Sequence, residues 1–152
     1  LLVGLGKNPI PLEVARVAGA HCWNKLRSEK VGTALIRTEG LTKKVRNWEA
    51  VLEAFLEGVL LSSYKFEKYK GKSADESGMA SLQLLASNAS EKTKIAKLVE
   101  KVLTTVDSVF LYRDWSNEPP NTGTPEFYAK ECEALAKKWG LKCKVYDEAE
   151  CK

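Results

Sequence analysis

The chain has 152 residues, which suits one domain with an enclosed core. Its apolar fraction of 44% and charged fraction of 29% are those of an ordinary globular protein. The net charge of +4 comes from basic residues scattered among nearly as many carboxylates, so nucleic acid is not an expected partner. No apolar run approaches the roughly 20 residues that span a bilayer, so a membrane is not an expected partner either.

The opening residues and the cysteines both point to the cytoplasm. "LLVGLGKNP" lacks the basic leader of a secretory signal, and its apolar run is too short for one. The four cysteines lie far apart, with no CxxC pair, and His21 beside Cys22 is a poor chelate on a helix. Reduced thiols in a cytoplasmic protein are therefore expected, with a disulfide or a metal pair as the alternatives.

The first half of the chain alternates predicted strands and helices. "LLVGLG" is a short apolar run closed by glycine, which predicts a buried strand. Apolar residues at spacings of three and four predict a helix from Leu12 to about Glu29, and "GTALIR" predicts a second strand over 32–37. Thr42 is the predicted N-cap of a long helix that fades near Tyr69, with the apolar stripe Val45, Trp48, Leu52, Phe55 and Val59.

A third strand and a second long helix follow a polar loop. "MASLQLLAS" (79–87) alternates apolar and polar residues and predicts a strand. Asn88, with Glu91 three residues on, resembles a capping box that opens a helix running to about Trp115. Its apolar residues are Ile95, Leu98, Val102, Val106, Val109 and Phe110. Pro119 and Pro120 then stop this helix, since each lacks an amide donor.

The chain restarts at once after the double proline. Thr124, Pro125 and Glu126 offer a capping hydroxyl, a proline at the first helical position and an acid near the positive helix end. Gly140 is the predicted C-terminal cap, and "LKCKVYD" alternates as an edge strand does. The predicted buried stripe of this last helix is Tyr128, Cys132, Leu135 and Trp139.

Strands that alternate with helices of ten or more residues predict an α/β fold with helices packed on a central sheet. The chain opens and closes within apparent elements of structure, which suggests a piece of something longer.

Residues with catalytic chemistry are few, and each has a simpler interpretation. Gly4-Leu5-Gly6-Lys7 follows a predicted strand, but a phosphate loop needs Ser or Thr after its lysine, so a turn is preferred. His21 has no nucleophile pattern around it. Asp75-Glu76 and Asp147-Glu148-Glu150 lack converging partners for a metal.

The four tryptophans do not require a ligand either. Trp48 and Trp139 lie on apolar stripes and are expected in the core, whereas Trp115 beside the double proline is expected to pack between two layers or two domains. No residue is assigned a catalytic, cofactor-binding or metal-binding role.

Three segments resemble the leucyl aminopeptidase (cytosol aminopeptidase) family over its N-terminal domain and the linker that follows. "LLVGLGK" is similar to the family's strand and turn before its first large helix, and "FLEGVLLSSYKFEKYK" (55–70) to a helix end of that domain. "RDWSNEPPNTGTPEFYAKECEALAKKWGLKCKVYDE" (113–148) is similar to the interdomain segment. The matching positions there are Asn117, Pro119, Pro120, Asn121, Thr124 and Pro125.

The resemblance implies a non-catalytic α/β domain over residues 1–112, with a macro-domain-like sheet and a long connecting helix. It implies that residues 113–152 are the interdomain linker with the first helix and strand of a catalytic domain. That domain, whose "NTDAEGR" motif is absent here, would hold two divalent ions, zinc or manganese, and release N-terminal amino acids from peptides. The full enzyme would be a cytoplasmic homohexamer, and this segment alone would be inactive.

Two other functions stay open. A macro-like fold could bind a nucleotide or ADP-ribose, although the glycine-rich loops that this requires are lacking apart from Gly4-Leu5-Gly6. The chain could also be a free-standing interaction domain.

Overall fold

The computed structural model describes residues 3–70 and 81–151, and within them it shows a mixed α/β protein. It falls into two compact units, one through Tyr112 and one from Arg113. The helices are α1 (Leu12–Ser28), α2 (Glu39–Lys44), α3 (Trp48–Leu61), α4 (Ala89–Ser116) and α5 (Pro125–Trp139), and the strands are β1 (Thr33–Arg37) and β2 (Ser81–Leu85). Within the described residues, none of these helices is long and apolar enough to cross a membrane.

The core of the first unit forms where α1 and α3 cross at two glycines. A Cβ built on Gly58 would lie 1.9 Å from the carbonyl oxygen of Arg16, and one on Gly19 would lie 2.1 Å from the carbonyl oxygen of Phe55. The two helix backbones therefore approach more closely than any side chain would allow. The guanidinium of Arg16 adds an ion pair with Glu57 at 2.9 Å across the same crossing.

The sheet of the first unit is a parallel pair, in the register Thr33↔Ser81 through Arg37↔Leu85. Alternate side chains of each strand are partly buried and pack against the core: Ile36 on β1, and Leu82 and Leu84 on β2. The strands that the sequence predicts at 32–37 and 79–87 are confirmed at 33–37 and 81–85; residues 79–80 lie outside the described residues.

Helix α4 contributes one apolar stripe to this core. Ile95, Leu98, Val102 and Val106 are buried at spacings of three and four, as the sequence predicts. The lysines beside the stripe pair with the acidic row of α3, Lys94 with Glu49 at 3.0 Å and Lys101 with Glu53 at 2.6 Å. Such pairs near the surface add little to stability.

The second unit contains α5, whose two caps are those that the sequence predicts. Thr124 is the N-cap, and its hydroxyl oxygen accepts from the amide of Phe127 at 3.3 Å. Pro125 occupies the first turn, and Gly140 ends the helix in the left-handed conformation at φ 66°.

Two predicted strands are wrong for the residues that the structure describes. Residues 3–6 and residues 141–147 form no strand, and the latter are exposed along their whole length. Alternating or apolar sequence makes a strand only where a neighbouring strand accepts its backbone hydrogen bonds. The two strands that do form are those that pair with each other.

The predicted long helix from Thr42 is also wrong at both ends. Thr42 lies inside the short α2, the extended backbone of Val45 (φ −116°, ψ 117°) interrupts the chain, and α3 begins only at Trp48. The helix then ends at Leu61 rather than near Tyr69. The predicted stripe is nevertheless turned inward, since Leu52, Phe55 and Val59 are buried.

Candidate functional site

The most elaborate local structure is the junction of residues 113–128, from the last turn of α4 to the first turn of α5. Helix α4 ends at Ser116, three residues before the double proline. Continuing the helix would need an amide at Pro119 to donate to the carbonyl oxygen of Trp115, and proline has none. That oxygen accepts instead from the amide of Glu118 at 3.2 Å. The double proline therefore ends the helix by withholding a donor, as predicted, although the last helical turn stops earlier.

Tyr128 closes the junction from the side of α5. Its hydroxyl donates to the carbonyl oxygen of Trp115 at 2.9 Å, and the two rings meet edge to face at 5.8 Å. A helix end normally leaves its last carbonyl groups without intrahelical i→i−4 partners, and this hydroxyl is a second donor to one of them, beside the amide of Glu118. The tyrosine thus links the end of one helix to the start of the next.

The loop between the two helices is tightly turned under this tyrosine. The amides of Thr122 and Gly123 both donate to the carbonyl oxygen of Pro119 at 2.8 Å. A Cβ on Gly123 would lie 2.8 Å from the Tyr128 hydroxyl oxygen, so a larger residue would displace it. At the start of the loop, the Asn117 amide side chain donates to the carbonyl oxygen of Arg113 at 2.8 Å.

Only part of the predicted α5 stripe is buried. Tyr128 and Leu135 are half-buried, whereas Cys132 is exposed and Trp139 is 63% exposed. The prediction of a core position for Trp139 is therefore wrong in this chain. Trp48 is half-buried against the core, and Trp115 packs on Tyr128 within the second unit.

The carboxyl ends of β1 and β2 meet at a second polar cluster. Thr38, which follows β1, and Glu91, in the first turn of α4, are 1% and 6% exposed, and the Thr38 hydroxyl donates to the Glu91 carboxylate. The same hydroxyl lies 2.8 Å from the carbonyl oxygen of Leu85, and the second carboxylate oxygen accepts from the Ser87 amide at 3.0 Å.

This cluster favours the charged form of its acid. The Thr38 hydroxyl, followed by the Ser87 amide, holds the pKa of Glu91 below its usual value against the opposing effect of burial. The Asn88 half of the predicted capping box is confirmed, because its side chain accepts from the amide of Glu91 at 2.9 Å. The Glu91 carboxylate accepts from the amide of Ser87 rather than from that of Asn88. A buried carboxylate therefore occupies the start of α4.

The other residues that the sequence analysis considered for a functional role do not form a common site. Gly6 adopts φ 82°, as a turn requires, and α1 begins only at Leu12, so Lys7 does not open a helix. His21 is exposed beside an open groove of about 440 Å³, lined mainly by Val3, Val14, Val17, Ala18 and Cys22. Burial raises the pKa of the Cys22 thiol, which makes it a poor nucleophile.

The acidic candidates build no metal site among the described residues. Asp147 and Glu150 cap each other's amides in an exposed turn, at 2.9 and 3.3 Å. Across 3–70 and 81–151, no three His, Cys, Asp or Glu side chains lie close enough to share an ion. Asp75 and Glu76 lie outside the described residues.

Sequence reasoning missed the role of Tyr128, which was assigned to a buried stripe. The sequence separation of Trp115 and Tyr128 does not predict that they are in contact, because the contact depends on how the loop between them folds. A tyrosine one turn into a helix that follows a proline-terminated helix is the only local indication.

Comparison with known proteins identifies relatives over nearly the whole chain. Residues 1–73 match the cytosol aminopeptidase family, N-terminal domain. The chain is 30% identical to a probable cytosol aminopeptidase of Aquifex aeolicus over 151 residues, which are 97% of this chain and 28% of that protein. It is 34% identical to one of Rickettsia bellii over 157 aligned positions, covering all of this chain and 30% of that protein.

A solved structure has the same fold. The bottromycin maturation enzyme BotP superposes with a TM-score of 0.75 at 24% identity, over 98% of this chain and 30% of that one. The chain thus spans about three-tenths of the length of the relatives that it matches. These matches confirm the resemblance drawn from the residues.

Proposed function

We propose that this chain, which matches the N-terminal domain of the cytosol aminopeptidase family over residues 1–73, is the non-catalytic N-terminal portion of a leucyl aminopeptidase. The parent enzyme would release N-terminal amino acids from peptides in the cytoplasm. The work of this portion is assembly of a homohexamer and positioning of the catalytic portion that follows. Residues 1–112 form the non-catalytic domain in this proposal, and residues 113–152 form the linker with the first elements of the catalytic domain.

The junction of residues 113–128 is the observation that supports a positioning role. Its turn is fixed by a missing donor at Pro119, a hydrogen bond from Tyr128 to Trp115 and a hydroxyl cap at Thr124. A flexible tether would need none of these contacts, since glycine and serine suffice for one. A locally defined turn is useful where the polypeptide beyond it must face a defined direction.

The residues that the structure describes do not fit a two-metal centre. The described carboxylates are spread over separate elements and form no converging set. No catalytic step is therefore assigned to this chain. In the proposal, the two zinc or manganese ions belong to the catalytic portion, where they supply an activated water and polarise the peptide carbonyl.

A macro-like nucleotide or ADP-ribose binder is the competing proposal, and the cluster at the strand ends disfavours it. Nucleotide phosphates bind beyond the carboxyl ends of parallel strands, at a helix N-terminus. Here the carboxylate of Glu91 already takes the place of the anion and is bonded by Thr38 and Ser87. A phosphate at this position would meet like charge.

The proposal is tested by dividing the parent enzyme. Hydrolysis of leucyl-anilide with added manganese is measured for this chain alone, for the remaining portion alone and for the two joined. We expect no turnover from this chain, and turnover from the joined protein well above that of the remainder. Turnover by repurified 1–152 would overturn the non-catalytic assignment. Tight binding of ADP-ribose to 1–152 by calorimetry would favour the competing function.

A further inference from the structure

The segment that follows α5 is open to solvent and has no neighbouring strand among the described residues. Residues 141–150 are exposed, with Leu141 at 67% and Tyr146 at 60%. Across the part of the chain that the structure describes, residues 142–146 make no backbone–backbone hydrogen bond. Their amide and carbonyl groups can therefore pair with a strand supplied from elsewhere. We call residues 141–150 the open segment.

The first half of the open segment has the residue pattern of a strand. Apolar side chains alternate there with lysines, in the order Leu141, Lys142, Cys143, Lys144 and Val145. In an extended backbone, this alternation places the apolar side chains on one face and the lysines on the other. The single chain forms no strand here, because a strand needs a partner for its backbone groups. Such a segment adds to another strand when one is available.

The charges of the open segment complement a second copy of the same segment. Its first half is basic, with Lys142 and Lys144, and its second half is acidic, with Asp147, Glu148 and Glu150. Antiparallel pairing of two copies sets the basic half of each against the acidic half of the other, whereas parallel pairing sets like charges side by side. Opposite charges across two strands stabilise the pair, and like charges destabilise it.

One register of this antiparallel pair matches both lysines. When Tyr146 lies opposite Tyr146 of the second copy, Lys144 faces Glu148 of that copy and Lys142 faces its Glu150. The pairing is symmetric, so each contact occurs twice. The two tyrosine rings then lie opposite each other, and aromatic pairs at such positions add to the stability of a strand pair.

The contacts that the open segment makes within its own chain are weak. Glu150 accepts from the amide of Asp147 at 3.3 Å, and its carboxylate lies 3.4 Å from the ammonium of Lys144. All three side chains are exposed, and exposed ion pairs contribute little to stability. The turn of residues 147–150 can therefore open at small cost when a partner strand offers the same charges.

We propose that the 152-residue chain self-associates through the open segment, which pairs antiparallel with the same segment of a second copy. A stable complex between separate chains needs about 20–30 residues on each side. The open segment is shorter than that, so the dimer is weak and its population depends on concentration. The proposal goes beyond the proposed function and does not rest on it, because it uses only residues of this chain.

Sedimentation equilibrium over an about hundredfold range of concentration measures this association. We expect the wild-type chain to shift from monomer to dimer, and added salt to reverse the shift, because salt screens exposed charges. Lys142→Glu with Lys144→Glu should abolish the dimer by setting acid against acid. Adding Glu148→Lys with Glu150→Lys should restore it, because the exchanged segment is again self-complementary. Lys92→Glu with Lys97→Glu, at exposed positions of α4, makes the same change in net charge and should leave the dimer intact.

Disulfide trapping tests the register. The exposed cysteines Cys132, Cys143 and Cys151 are first replaced by serine, which leaves one buried cysteine. In that chain, Tyr146→Cys places two thiols opposite each other in the dimer, whereas Lys142→Cys places them at opposite ends of the pair. Under mild oxidation, we expect Tyr146→Cys to form linked dimers at least about tenfold faster, because a disulfide needs its Cα atoms within about 7 Å.

A chain that stays monomeric at every concentration would overturn the proposal. So would a dimer that survives the double-glutamate change in the open segment, a dimer that the α4 control also dissolves, or equal trapping rates for the two cysteine variants. Slow amide exchange of residues 141–150 in a chain that stays monomeric would assign the segment to another part of the same chain, and would overturn the proposal as well. None of these measurements uses peptide hydrolysis, so an inactive parent enzyme would count against the proposed function alone.

Discussion

The hydroxyl of Tyr128 donates a 2.9 Å hydrogen bond to the carbonyl oxygen of Trp115, across a chain separation of 13 residues. The acceptor is the carbonyl that Pro119 would have used had it been any other residue in a continuing helix. Pro119 has no amide to donate to this carbonyl, and the hydroxyl of Tyr128 donates to it instead. The two residues therefore act on the same acceptor. Together they end α4 and fix the start of α5.

The Tyr128→Phe change tests this hydrogen bond at the level of one atom. It keeps the ring contact with Trp115 and removes the hydrogen bond, so we expect a loss of about 1 kcal/mol in the unfolding free energy of the second unit. Urea unfolding followed by tryptophan fluorescence measures it. Tyr146→Phe, on a ring that is 60% exposed, is the control and should be neutral. Equal midpoints for the two variants would show that the hydrogen bond contributes nothing.

The helix crossing predicts a strong response to one added methyl group. Gly58→Ala places a Cβ against the Arg16 carbonyl oxygen, and backbone cannot move aside as a flexible side chain can. We expect a loss of about 3 kcal/mol or more, measured by chemical denaturation. Gly40→Ala in α2, where the new Cβ meets nothing within 4 Å, should be neutral or slightly stabilising. A Gly58→Ala protein as stable as wild type would mean that α1 and α3 do not cross here.

The Thr38–Glu91 cluster predicts acid sensitivity. Because the folded pKa of Glu91 lies below the unfolded value of about 4.3, the unfolded chain binds more protons and stability rises with pH through this window. The contribution is complete above that unfolded pKa and is lost as pH falls through the folded pKa. The urea concentration at the unfolding midpoint is therefore measured at several values between about pH 3 and 6. We expect the midpoint to rise less steeply with pH in Glu91→Gln than in wild type. The same pH dependence in both proteins would show that Glu91 does not contribute to the acid sensitivity.

Much of the helical structure in both units could be predicted from sequence, because its signals are local. The stripe of α4 and the caps at Asn88, Thr124 and Gly140 are each set by residues within a few positions of one another. The strand predicted at 141–147 does not form. Alternating apolar and polar residues indicate which side chains would share a face of a strand, but they do not indicate whether a neighbouring strand is present to pair with it. The glycine crossing and the Tyr128 bond depend on residues 13 or more positions apart, and no pattern in one sequence records such contacts.

The exposed positions of α5 follow the same logic. Cys132 and Trp139 lie on the apolar side of an amphipathic helix, yet in this chain they face solvent. The sequence pattern describes a helix that packs against something. In the proposed function, that neighbour is the catalytic portion of the parent enzyme.

The central claim is that this chain positions the catalytic portion and performs no chemistry, and the double proline tests it most directly. Pro119→Ala with Pro120→Ala restores the amide that can donate to Trp115, so α4 can extend and the Tyr128 bond meets a competitor. The 152-residue chain should remain folded by circular dichroism, since this extension costs little. The measurement is sedimentation velocity of the full-length variant, with turnover recorded on the same sample. The account predicts fewer hexamers and lower turnover, although no catalytic group is touched, whereas a fully assembled and fully active variant would contradict it.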